Sequence, residues 1–158
     1  MSRAEKIPRF IWRLFRFLPP RILYSVGLGS LVGGFVLLLE TTGRKSGLPR
    51  ITPLQYVEID GSIYVGSARG DKADWFQNLV ANPKVKMTVG SRKIWGYADP
   101  ITDPTQIADY LEYRLETHPL FMGTLLKLEG LNSAPTREQL LEFSESRAVV
   151  AIRPIKDS

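Results

Sequence analysis

The chain turns at TTGRKSGLPR, residues 41–50, and this stretch decides the fold. The apolar run FVLLLETT leads into it, and the alternating run ITPLQYVEI, residues 51–59, follows it. A continuous apolar run predicts a buried strand, and alternation predicts a half-buried one. Because Gly and Pro suit a tight turn, the pattern predicts two neighbouring strands joined at residues 41–50.

The turn carries more positive charge than a turn needs. Arg44, Lys45 and Arg50 lie within seven residues and repel one another, so an anion is expected among them. Glycine backbone N–H groups and nearby hydroxyls can add to such a cradle for phosphate or carboxylate. These hydroxyls belong to Thr41, Thr42 and Ser46. The spacing is not that of a P-loop, and a solvated basic hairpin is the alternative.

The rest of the chain predicts further antiparallel strands, with helices at the ends of the barrel or sheet that they form. Asp60-Gly61 marks a hairpin into SIYVGSA, and two more strands flank Gly90-Ser91. AVVAIRPI closes the chain as a strand. Helices are predicted in DWFQNLVANP, after Asp103-Pro104, in HPLFMGTLLKLEGL and from Pro135 to Ser144. This order of elements predicts an α+β fold with a small antiparallel barrel or sheet.

The composition excludes several kinds of chemistry. The 158 residues include no cysteine and one histidine, His118. Disulfides, thiol nucleophiles, iron–sulfur clusters and His-rich metal sites are therefore not expected, and no metal is predicted. A cysteine-free chain fits a reducing compartment, so we expect a cytoplasmic protein, at the inner face of the membrane if its basic end binds lipid.

The basic charge is concentrated at the N-terminal end. Residues 1–50 carry a net charge of +7, whereas the whole chain carries +5, so the remaining residues are slightly acidic. Within them, residues 7–18 predict a basic, aromatic amphipathic helix that either lies on a membrane surface or packs on the domain. We divide the chain into a lead-in, residues 1–34, and a domain that contains the predicted strands, residues 35–158. RNA binding by this end is a third reading, but no nucleic-acid motif supports it.

An uncharged run of 18 residues, residues 22–39, approaches the length of a membrane span. Glycines interrupt it at Gly27, Gly29, Gly33 and Gly34. We therefore interpret this run as a short helix, a glycine turn and a buried strand, in preference to a membrane span or a secretory signal.

Several short motifs follow one another from residue 41 to residue 83. TTGRKSG is followed by an R-x-x-PL motif at Arg50, Pro53 and Leu54. Then come S-x-x-G at Ser67 and Gly70, W-x-x-NL beginning at Trp75, and ANP at residues 81–83. In this order the motifs resemble the deazaflavin-dependent nitroreductase family. The resemblance covers residues 35–90 and implies a split β-barrel of the flavin-reductase and FMN-binding type. It also implies that the chain binds coenzyme F420 and passes a hydride to an organic acceptor.

The resemblance gives the basic turn a ligand, because F420 carries a phosphodiester and a polyglutamate tail. It implies that Arg44, Lys45, Ser46 and Arg50 hold the phosphate and the tail. It further implies that one group of residues lies along the coenzyme or near its ring: Pro53, Leu54, Gln55, Ser67, Ala68, Arg69, Gly70, Trp75 and Asn78. FMN is the alternative cofactor, because it also presents a phosphate, and Trp75 has the alternative of packing in the core.

The acceptor side is less determined by the sequence. In the resembled family, tyrosines line the acceptor pocket, whereas the corresponding stretch here, HPLFMGT, has none. His118 is the candidate catalytic proton donor, and its alternative role is to cap a helix before Pro119. We expect an F420-dependent oxidoreductase for a quinone-like, fatty-acid or nitro acceptor. The alternative is a non-catalytic flavin- or lipid-binding barrel. A homodimer is also expected.

Overall fold

The computed structural model describes residues 36–67 and 69–156. The predicted lead-in, its amphipathic helix, most of the uncharged run and Ala68 lie outside these residues. The strands are β1 (Val36–Thr42), β2 (Pro49–Ile59), β3 (Ser62–Ser67), β4 (Lys84–Val89), β5 (Arg92–Ile101) and β6 (Ala148–Pro154). The α-helices are α1 (Asp74–Ala81), α2 (Pro104–Thr117), α3 (Pro119–Leu128) and α4 (Arg137–Ser144). A short 3₁₀ turn, Gly70–Lys72, precedes α1.

The six strands form a closed antiparallel barrel in the order β1-β2-β3-β6-β5-β4, with β4 pairing back to β1. The basic turn joins β1 to β2, where Thr42 pairs with Pro49. Asp60 and Gly61 both have positive φ, 51° and 81°, as a two-residue hairpin between β2 and β3 requires. The predicted α+β split barrel is confirmed.

The alternating apolar residues of the strands fill the barrel. Leu37 and Leu39 of β1 are fully buried beside Val65 of β3 and Met87 of β4. Gly96 belongs to this close packing, since a Cβ there would lie 2.6 Å from the Ile152 side chain. Helix α1 closes the barrel with Phe76 and Leu79.

A second core lies outside the barrel, between β6 and the three C-terminal helices. Ile107 and Leu111 of α2 pack with Leu126 of α3, Leu140 of α4 and Val149 of β6. The helix ends are set by local signals. The Asp103 carboxylate accepts the Thr105 N–H at 3.0 Å, and α4 begins with a capping box at its N-terminus.

Within residues 36–67 and 69–156, none of the helices is long and apolar enough to cross a membrane.

Candidate functional site

The basic turn has a defined backbone. The Gly43 N–H donates to the Leu48 carbonyl at 2.8 Å, and the Gly47 N–H donates to the Gly43 carbonyl at 2.8 Å. Gly47 has a φ of 69°, which favours glycine. The Leu48 N–H donates to the Ser46 hydroxyl at 3.2 Å. The glycines and Ser46 therefore fix the loop that carries the cations.

Arg44 is held by helix α1. Its backbone N–H and its Nη1 donate to the Asn78 Oδ1 at 3.2 and 2.9 Å, and Nη2 pairs with the Asp74 carboxylate at 3.2 Å. Asn78 is buried, and its Nδ2 donates to the Thr41 hydroxyl at 3.4 Å. Arg44 and Asn78 therefore fasten the turn to the helix that follows β3.

Lys45 and Arg50 are exposed and remain available for a ligand. Among the described residues, no carboxylate lies within ion-pair distance of either side chain. Both border a cavity of about 690 Å³, which we call the basic cavity. It is lined by Gly43, Arg44, Lys45, Ser46, Pro49, Arg50, Ile51, Thr52, Asp74, Trp75 and Asn78.

A second cavity, of about 540 Å³, is lined by residues of the barrel and of the C-terminal helices. We call it the apolar cavity, because most of its surface is carbon. The barrel contributes Thr52, Pro53, Leu54, Gln55, Gly66, Ser67, Ala148 and Val149. The helices contribute Ile107, Tyr110, Leu111, Arg114, Met122, Leu125, Leu126, Glu129 and Phe143, and the connections add Arg69, Ala73 and Arg147. Its volume suits a small organic molecule.

The two cavities share a wall. Thr52 of β2 and Asp74 and Trp75 at the start of α1 line both of them. Trp75 is half-buried and meets Phe76 edge-on at 6.0 Å between ring centroids. The two cavities are therefore adjacent, and we call them together the groove: an elongated ligand could place an anionic end in the basic cavity and a planar apolar end in the apolar cavity.

Tyr110 and Arg114 form a polar pair on the helical wall of the apolar cavity. Arg114 is 5% exposed, and its Nη1 donates to the Tyr110 hydroxyl oxygen at 3.0 Å. The Tyr110 ring stacks on Tyr64 at 5.7 Å. Burial raises the pKa of the Tyr110 hydroxyl above its ordinary value of 10.0, which the charge of Arg114 partly offsets. Tyr110 is therefore neutral and protonated at physiological pH.

Most predicted cofactor residues lie in this groove. The basic cavity contains Arg44, Lys45, Ser46, Arg50 and Asn78, the apolar cavity contains Pro53, Leu54, Gln55, Ser67 and Arg69, and Trp75 borders both.

Ser67 and Gly70 also have structural roles. The Ser67 hydroxyl donates to the Gly70 carbonyl at 2.7 Å. Gly70 has a φ of 60° and lines neither cavity, and a Cβ there would lie 2.7 Å from the Ser146 carbonyl oxygen. The predicted Gly70 is thus required by close backbone packing beside the groove.

His118 lies at the junction of α2 and α3, away from the groove. It is exposed, its Nδ1 lies 3.1 Å from the Thr117 hydroxyl, and its backbone N–H donates to the Arg114 carbonyl at 2.8 Å. It lines neither cavity. This position gives the predicted proton-donor role no support, and His118 caps the end of α2 through its backbone.

The sequence analysis did not identify Tyr110 and Arg114 as site residues. It located the acceptor pocket at HPLFMGT, which has no tyrosine, and proposed His118 as the proton donor there. The available signal was Arg114 itself, a cation seven residues after Ile107 and so on the same helical face. A charged residue within an apolar stripe indicates a buried polar site.

The fold and the groove define a split-barrel protein with adjoining basic and apolar cavities. Residues 24–121 match the family described as F420H(2)-dependent quinone reductase. The chain belongs to this family, which confirms the deazaflavin resemblance.

Comparison with individual proteins agrees with this assignment. An F420H(2)-dependent quinone reductase of Mycobacterium tuberculosis is 44% identical over 69 residues, which cover 41% of this chain and 46% of the relative. The chain thus spans about half the length of the curated relatives it matches.

Two solved structures share the fold. One, described as an F420 reductase, is 20% identical with a TM-score of 0.50, covering 77% of this chain and 87% of that one. A conserved hypothetical protein of Mycobacterium tuberculosis is 17% identical with a TM-score of 0.52, covering 99% of this chain and 86% of that one.

Proposed function

We propose that this protein is an F420-dependent oxidoreductase that passes a hydride between the coenzyme and a hydrophobic organic acceptor, most simply a quinone. The observation that carries the proposal is that the basic and apolar cavities are adjacent and share Thr52, Asp74 and Trp75 as lining residues. Family membership and the F420-dependent relatives support the same coenzyme.

The residues present fit the two ends of F420. Lys45 and Arg50 supply charge for the phosphodiester and the glutamates, and they have no carboxylate partner among the described residues. Arg44 lines the basic cavity too, but Asn78 and Asp74 already engage its guanidinium. We therefore assign the larger share of anion binding to Lys45 and Arg50, and assign to Arg44 the fastening of the turn.

The coenzyme, when bound, supplies the hydride, and the chain orients the reactants and excludes water. Pro53 and Leu54 on β2 and Trp75 on α1 provide a flat apolar wall for the deazaflavin ring. The acceptor would lie on the helical side of the apolar cavity, between Met122 and Phe143. Apolar walls on both sides of the reactants suit hydride transfer, because they exclude water.

The proposal is tested by fluorescence titration with F420, with FMN and FAD in parallel. Lys45→Ala should weaken F420 binding about tenfold or more, because a charge-assisted hydrogen bond contributes about 1.5–3 kcal/mol. Lys93→Ala, which removes one exposed cation from β5 outside both cavities, is the matched control. Equal affinity in the Lys45 and Lys93 variants would contradict the proposed tail site.

The same titration separates the alternative. Binding of FMN in preference to F420 would keep the cavity assignment and change the cofactor. A co-purified lipid, with no flavin binding and no hydride transfer to quinones, would instead identify a non-catalytic binding barrel.

The proposal includes contact with the membrane and the oligomeric state. A helix over residues 7–18 would bring the groove to the inner face of the membrane, where quinones are dissolved. Flotation with anionic vesicles, before and after removal of residues 1–20, measures that contact. A homodimer remains a prediction, and sedimentation of the purified chain measures it.

A further inference from the structure

Arg114 is a buried cation without a matching anion. It is 5% exposed, and its Nε has no hydrogen-bond partner. Among the described residues, no carboxylate lies within ion-pair distance of it. A buried charge is costly unless it is paired, so a site that keeps Arg114 here is expected to offer it a ligand.

The carboxylates that line the apolar cavity are already engaged. Glu129 pairs with Arg147 at 2.8 Å, and Asp74 pairs with Arg44 at 3.2 Å. The Arg114 guanidinium instead donates a hydrogen bond to the neutral Tyr110 hydroxyl, with 3.0 Å between Nη1 and the hydroxyl oxygen. The helical wall of the apolar cavity therefore carries one positive charge that protein carboxylates do not balance.

We propose that Arg114 and Tyr110 form the subsite that holds the reacting oxygen of the acceptor, with Arg114 stabilising the negative charge that develops there. This inference rests on the proposed function, because it assigns the acceptor end of the same groove. It selects acceptors in which an apolar ring carries a carbonyl oxygen, since most of that wall is hydrocarbon, from residues such as Ile107, Leu111 and Met122.

The charge balance of the reaction requires such a group. A quinone that accepts a hydride gains two electrons and one proton and becomes a monoanion, with the negative charge on the ring oxygen. One further proton completes the hydroquinone. A fixed guanidinium beside that oxygen stabilises the monoanion more than the neutral quinone, and this difference lowers the barrier.

Tyr110 is suited to supply the proton. Its oxygen accepts the hydrogen bond from Arg114, so its own hydrogen is left to donate toward the cavity. After its O–H bond breaks and the proton moves to the acceptor oxygen, the tyrosinate lies beside Arg114 until water returns a proton. This gives the chain a proton donor within the groove, where His118 is not.

The first test needs no coenzyme. The probe is 4-nitrophenol, a ring with one ionisable oxygen, titrated into the full-length chain and followed by the absorbance of its phenolate. Wild type should bind the phenolate over the phenol and lower the apparent pKa of the probe. Arg114→Gln should reduce phenolate affinity about tenfold or more. Lys127→Gln, an exposed cation on the neighbouring α3, should match wild type.

Arg114→Lys guards against a folding artefact, because it keeps the charge while it loses the Nε and the fork geometry. It should retain part of the phenolate preference and melt cooperatively. If Arg114→Gln keeps the wild-type preference, or if wild type binds no phenolate, the inference is overturned.

A second test separates this inference from the proposed function. With menadione as acceptor, Arg114→Gln and Tyr110→Phe should lower kcat at least tenfold while their F420 affinity stays at the wild-type value. Failure of wild type to bind F420 would overturn the proposed function, whatever the phenolate result. Normal F420 binding with unchanged menadione kcat in both variants would overturn the Arg114–Tyr110 subsite alone.

Discussion

Asn78 holds the basic turn in place, and Asn78→Ala should remove that support. The substitution removes a bond from the Arg44 guanidinium at 2.9 Å, one from the Arg44 N–H at 3.2 Å and a long one to Thr41 at 3.4 Å. A hydrogen bond to a charged group contributes about 1.5–3 kcal/mol, and a neutral one about 0.5–1.5 kcal/mol. The longest contributes little. We therefore expect the free energy of unfolding to fall by about 2–4 kcal/mol.

The assay is urea denaturation followed by tryptophan fluorescence, with Val80→Ala as the matched control. Val80 is on the same helix and 51% exposed, so its truncation should change stability by less than about 0.5 kcal/mol. A drop below about 1 kcal/mol for Asn78→Ala would refute the reasoning, because it would mean that the turn does not depend on this anchor. Asn78→Ala should also weaken F420 binding, since Lys45 would lose its fixed position.

Three further predictions follow from local geometry. Gly70→Ala should destabilise the chain by about 2 kcal/mol or more in the same denaturation assay, because a left-handed φ costs about 1–2 kcal/mol and the new Cβ meets the Ser146 carbonyl. The matched control is Gly90→Ala, where φ is 62° but, chain neighbours aside, no described residue comes within 4 Å of the new Cβ. An equal loss of stability in that variant would show that the contact with the Ser146 carbonyl is unimportant. His118→Ala should leave kcat with menadione and F420 unchanged, and a tenfold loss would restore its predicted catalytic role. Stability should fall as pH rises above 10, because the raised pKa of Tyr110 keeps the folded hydroxyl neutral while the unfolded one ionises. The slope from this group is at most about 1.4 kcal/mol per pH unit, and denaturation of Tyr110→Phe should lack that contribution.

The strands of the barrel could be predicted from the sequence more completely than the residues that line the groove. Strands such as β2 and β3 were predicted because alternation and the Asp60-Gly61 turn are local signals. The basic turn was recognised because its charge exceeds what a turn requires.

The helical wall of the groove was not predicted, for a physical reason. Periodicity tells which face of α2 is buried, but not which strands that face lies against. The partnership of Arg114 with Tyr110, and the distance of His118 from the cavities, depend on how α2 and α3 pack on β6. The different roles of Arg44, which fastens the turn, and Lys45, which remains available to a ligand, depend on the packing of helix α1 against the turn.

The central claim is that the basic cavity holds the coenzyme tail while the apolar cavity holds its ring. The most direct measurement compares the affinity for F420 with that for the deazaflavin chromophore lacking the phosphate and glutamates, in wild type and in Lys45→Ala. We predict that Lys45→Ala weakens F420 binding about tenfold or more and leaves the affinity for the tail-less chromophore unchanged. An equal loss for both ligands, or no loss for either, would contradict the claim.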